Sequence, residues 1–164
     1  MKIELRYLTR TAVLLGLTLA FQMLRLGQAF TGPAVNAMLY IATAMVGISS
    51  GVFIGLITPW IALIVGILKP VLAPAVPFIM AGNASLVIIF GLLQARNRYL
   101  AVAVASVVKY LILASAVRLI LELPPPMTVA LQLPQLFTAL GGGVVALLVL
   151  RALAAIGMEP LAKR

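Results

Sequence analysis

The chain reads as a succession of long apolar runs separated by short polar, glycine-containing or proline-rich connections. Apolar and polar residues do not alternate along the runs, so the pattern of a membrane β-barrel strand is absent. About 20 apolar residues cross a bilayer as a helix. By that measure six segments stand out, at about 8–26, 33–47, 50–68, 77–94, 98–121 and 134–156. The second opens on Pro33, a favoured first helical residue. It is also short, so five full spans plus one partial is the alternative. The third has Pro59 near its middle, where a kink is expected. The connections leave no room for a separate soluble domain, and no internal repeat is evident. The expected fold is an all-α integral membrane protein, a six-transmembrane-helix bundle, with residues 1–164 forming one membrane-embedded domain.

Lysine and arginine set the orientation of such a bundle. An even number of spans puts both ends on one side. That side collects Lys2, Arg6, Arg10, Arg96, Arg98, Arg151, Lys163 and Arg164. The other holds Arg25 and Lys69, with Arg118 near it. The bias places the N and C termini in the cytoplasm and the connections 27–32, 69–76 and 122–133 outside. Two of these are proline-rich, "KPVLAPAVP" and "LPPPM". They serve either as stiff connectors or as walls of an outward-facing pocket. The first apolar run lacks a clear small-residue cleavage site and reads as a retained helix.

Composition agrees with the pattern. Of 164 residues, 64% are hydrophobic and 9% charged, whereas a soluble domain carries about 25% charged residues. The chemistry is sparse. The only carboxylates are Glu4, Glu122 and Glu159, and there is no Asp, His or Cys. Paired carboxylates, metal ligands and thiol nucleophiles are therefore missing. Gly141, Gly142 and Gly143 lie within an apolar segment with no Lys-Ser/Thr after them, so they are not a phosphate loop. These features argue against an enzyme, a metal site and a cofactor. The net charge of +9 is scattered around the spans and not clustered with aromatics, which argues against nucleic acid.

The stretch "SVVKYLILASAVRLILEL" raises the sharpest question, because it sets Lys109 and Arg118 among aliphatic residues. Lys109 follows Arg98 by 11 residues, roughly 16 Å along a helix, close to the midplane of a core about 30 Å thick. Arg118 is about 13 Å further out and on the opposite face. It can reach water or pair with Glu122 four residues on. Lys109 can do neither easily. A mid-membrane lysine faces a cavity or a partner and marks a functional site by default; bonding to backbone carbonyls is the structural alternative. Other polar residues gather in the outer half: Asn36, Tyr40 and Thr43 on one face of the second span, Asn83, Gln22 with Arg25, and Gln135 with Thr138. Interhelical hydrogen bonds explain each singly. Together they suit a pocket for a small, polar, anionic molecule. On the first span Ala12, Gly16 and Ala20 form a small-residue stripe, which permits close helix approach within the bundle or to a partner.

Taken together, "TAVLLGLTLA", "GPAVNAMLYIATAMVGISSGVFIGLITPWIALIVGIL" and "PFIMAGNASLVIIFGLLQARNR" resemble the substrate-binding S components of energy-coupling-factor (ECF) vitamin transporters. The resemblance covers about residues 8–156 and rests on six-helix size, order and loop pattern. It implies a multi-pass protein of a prokaryotic plasma membrane that binds one vitamin or precursor near the outer face. The implied partners are a transmembrane coupling protein and two ATPase subunits, which would perform the ATP hydrolysis. The pocket positions that match are Asn83, Lys109, Tyr110, Gln135 and Thr138, with Gln28 and Lys69 from the loops. The docking pattern falls on Ala12, Gly16 and Ala20, with Gly in its middle place. A structural membrane scaffold of the MreD (cell-shape) type is the rival reading, but it has no need of Lys109. A secondary transporter would want an intramembrane carboxylate.

Overall fold

The computed structural model describes residues 2–158 and 160–161. Glu159, Lys163 and Arg164 therefore lie outside the described residues. The chain forms α1 (Lys2–Met23), α2 (Gln28–Met45), α3 (Ile48–Ile64), a 3-10 helix (Pro70–Ala75), α4 (Val76–Leu93), α5 (Arg98–Leu119), a short α6 (Pro125–Ala130) and α7 (Leu133–Ala155). No strand occurs among the described residues. Three helical stretches, Pro70–Leu93, Arg98–Leu119 and Pro125–Ala155, are long and apolar enough to cross a membrane, and α3 is apolar but shorter. Charged residues in the first turns of α1, and the polar residues of α2, keep those two helices below that mark. The protein thus has membrane-helix character, carried most clearly by its C-terminal half.

Several boundaries differ from the expected ones. α2 begins at Gln28, well before Pro33. The backbone reverses within four residues because Arg25 and Gly27 both take positive φ, at 49° and 80°. Pro33 then lies inside the helix, where it removes one main-chain donor. The connections at 69–76 and 122–133 are not plain loops: they contain the 3-10 helix and α6, each with proline in its first turn. Prolines there supply a helical φ where no intrahelical donor is needed. α5 starts cleanly because the Asn97 side chain accepts from the amides of Tyr99 and Leu100, at 2.9 and 3.0 Å.

α2 is the central element. Asn36, Ala37 and every residue from Leu39 to Met45 are buried. The core around it includes Leu39, Tyr40, Ile54, Leu86, Val87, Phe90, Ala105 and Ala146. The Tyr40 and Phe90 rings meet edge to face at 4.8 Å, a favoured aromatic geometry. The glycine run of α7 finds its purpose in this packing. A methyl group on Gly142 would sit 2.6 Å from the Pro33 carbonyl oxygen and 2.7 Å from Asn36 Cβ. Only hydrogen fits there, so α2 and α7 approach backbone to backbone, as small residues allow in membrane bundles.

Candidate functional site

The C-terminal ends of α1 and α3, the N-terminal ends of α2, α4 and α7, and the middle of α5 enclose a cavity of about 330 Å³. It opens at one end of the bundle and reaches inward to Lys109. Its size falls at the lower end of the range for small-molecule sites, about 300–1,000 Å³. Among the described residues no carboxylate lines it.

Lys109 forms the floor. It is buried on α5 and donates from Nζ to Asn36 Oδ1 at 2.6 Å and to Asn83 Oδ1 at 2.8 Å. The two asparagines are held in turn. Asn83 Nδ2 donates to the Gly55 carbonyl at 2.9 Å, and Asn36 Nδ2 donates to Thr138 Oγ1 at 3.5 Å. Thr138 donates onward to the Gln135 carbonyl at 3.1 Å. Side chains from α2, α4, α5 and α7, with a carbonyl of α3, thus form one network around a single cation. Small residues make room for it: a methyl on Gly55 would lie 3.0 Å from Asn83 Cβ, and one on Gly82 would lie 3.3 Å from Lys109 Cγ.

The protein's own groups balance this buried cation only in part. Burying an ammonium costs several kcal/mol. Hydrogen bonds to a charged group each return about 1.5–3 kcal/mol. Two amide oxygens meet two of the three ammonium donors but bring no counter-charge. Among the described residues one donor and the charge of Lys109 remain unmatched, and Lys109 lines the cavity.

Of the residues singled out in the sequence, Asn83, Lys109, Gln135 and Gln28 line the cavity. Thr138 is buried behind Asn36 and acts on the site through it. Tyr110 and Lys69 are not among the lining residues. Tyr110 follows Lys109 directly, so helical geometry turns it about 100° away, and Lys69 is exposed ahead of the 3-10 helix. The expected polar face of α2 divides: Asn36 reaches the cavity, while Tyr40 pairs with Ser106 Oγ at 3.0 Å and Thr43 bonds its own backbone at Leu39. The alternative for Lys109, bonding to backbone carbonyls, is replaced by bonding to asparagine side chains. Arg118 is exposed, and α5 ends at Leu119, before the helical register that would bring Glu122 beneath it is complete.

The structure adds Thr58 and Thr31 to the site, and Gln22 and Arg25, conspicuous in the sequence among the outer polar residues, also line it. Arg25 sits at the mouth and donates from Nη2 to the Val65 carbonyl at 3.2 Å, tying the ends of α1 and α3 together. Thr58 precedes Pro59 within a span, and nothing in its sequence surroundings marks it. Gln22 Oε1 and Thr58 Oγ1 are buried without a hydrogen-bond partner among the described residues. Buried polar atoms without partners are uncommon in folded proteins, and here both belong to residues that line the cavity.

Ala12, Gly16 and Ala20 are all exposed on the outward face of α1, and no atom lies within 4 Å of a Cβ built on Gly16. The stripe is therefore not used for packing within the bundle. Leu5, Leu8, Val13 and Leu17 are also exposed on this helix. No protein family, no curated protein and no solved structure matches the chain.

Proposed function

We propose that this protein is the substrate-binding subunit of an ECF-type importer, capturing a small anionic vitamin or vitamin precursor from outside the cell. One observation carries the reading: a ligand-sized cavity whose floor is a buried lysine held by two asparagines, with no carboxylate among the described residues lining it. A scaffold protein leaves such a site without a role. In this reading six spans place both termini in the cytoplasm of a prokaryote, and the cavity mouth faces outward. Ligand binding neutralises Lys109. A transmembrane coupling protein then docks along Ala12, Gly16 and Ala20, and two ATPase subunits drive reorientation and release. The chain itself performs no hydrolysis.

Native mass spectrometry of the protein purified from its own membrane tests this directly. The expected result is one small anionic metabolite bound per chain. A cavity empty in cells grown in rich medium, together with no uptake defect on deletion, would remove the transport reading.

A further inference from the structure

Resting on that reading, we propose a chemical class for the ligand: a monocarboxylate that also carries an N–H or O–H donor, and neither a phosphate ester nor an amine. The carboxylate follows from charge. The cavity holds one buried cation, Lys109, whose Asn36 and Asn83 contacts leave one ammonium donor uncommitted. The second cation, Arg25, is exposed at the mouth and already donates to Val65. A single negative charge at the floor is matched. A phosphate dianion there would bury a charge with nothing opposite it, and an amine would add a like charge beside Lys109. A neutral amide would forgo the charge pairing. Oxygens bind an ammonium through short, charge-assisted hydrogen bonds, and a carboxylate presents two such oxygens in a compact group.

The donor follows from the unpartnered atoms. An amide oxygen only accepts hydrogen bonds, and a threonine hydroxyl both accepts and donates. Gln22 Oε1 and Thr58 Oγ1 are therefore both matched by a ligand that supplies hydrogen. Gln22 belongs to the end of α1 and Thr58 to α3, whereas Lys109 comes from the middle of α5. The carboxylate and the donor are thus read by side chains of different helices.

The test uses the full chain in detergent and a matched series: 4-hydroxybenzoate, 4-hydroxybenzamide, 4-hydroxyphenyl phosphate, 4-hydroxybenzylamine and 4-methylbenzoate. Binding is measured by calorimetry. The first is expected to bind about tenfold or more tighter than the amide, the phosphate and the amine. It should also exceed 4-methylbenzoate, which keeps the shape and loses the donor, by about threefold. Lys109→Met should erase the advantage over the amide, and Thr58→Val should reduce the advantage over 4-methylbenzoate. The wild-type ranking is decisive even where a variant does not fold. Tighter binding of the phosphate or amine, or equal binding of the amide, overturns the carboxylate assignment while a ligand still enters the cavity, so the importer reading survives. Equal or tighter binding of 4-methylbenzoate overturns the donor assignment. Silence from all five overturns the ligand class, and the importer reading is then judged by its own mass-spectrometric test.

Discussion

At the residue scale the protein is organised by one charge. Lys109 was conspicuous in the sequence because a cation in an apolar run has few ways to be tolerated. Asn36 and Asn83 stood out only as polar residues, and their pairing with Lys109 did not show, since they lie 73 and 26 residues away along the chain. Asn83→Leu should remove one bond to Lys109 and one to the Gly55 carbonyl, lowering stability by about 1–3 kcal/mol. The denaturation midpoint in detergent checks this. In the double variant with Lys109→Met the two costs should add to less than their sum, because the residues share one hydrogen bond. Strict additivity would show that the network is not energetically coupled. Lys109→Met alone should weaken the ligand identified by mass spectrometry by about 10- to 100-fold, whereas Arg118→Met, exposed at the far end of α5, should leave affinity nearly unchanged. Titration calorimetry of the two variants separates these outcomes.

At the element scale, α1 and α7 use small residues for opposite purposes. Gly142 faces the backbone of α2, and any side chain there collides with Pro33 and Asn36. Gly142→Leu should overpack this contact, cost about 1–3 kcal/mol or more, and displace Asn36 from Lys109. Loss of both thermal stability and ligand binding is the expected result. Gly16 faces open space. Gly16→Leu should therefore leave the isolated protein's stability and binding intact while blocking close approach of a partner helix. Co-purification with a coupling protein reads this out, and a full complex with the leucine variant would remove the docking role. The sequence showed both glycine patterns. It did not show which was internal, because spacing by four marks a face of a helix without saying what that face meets.

At the scale of the whole molecule, the cavity joins ends of helices that are distant in sequence but neighbours at one end of the bundle. That end is placed outside in the proposed topology. With no native cysteine, labelling by an impermeant thiol reagent is clean. A cysteine at exposed Pro125 should react from outside intact cells, and one at exposed Arg98 should not. The reverse pattern would turn the cavity mouth toward the cytoplasm and contradict uptake.

Hydropathy in the sequence by itself determined the membrane-helix character and the helical class, because each depends only on local composition and run length. Helix starts such as Gln28 escaped that reading, since they depend on a reversal at Arg25 and Gly27 that apolar run lengths do not record. Only the tertiary structure decided that Asn36 and Asn83 converge on Lys109, that Tyr110 and Lys69 stand apart, and that Gln22 and Thr58 line the same cavity. The physical reason is that a pocket is a property of how helices pack. Every apolar helix offers several faces to its neighbours, and which face wins is settled by close contacts such as that of Gly142 on α2, between residues more than a hundred positions apart.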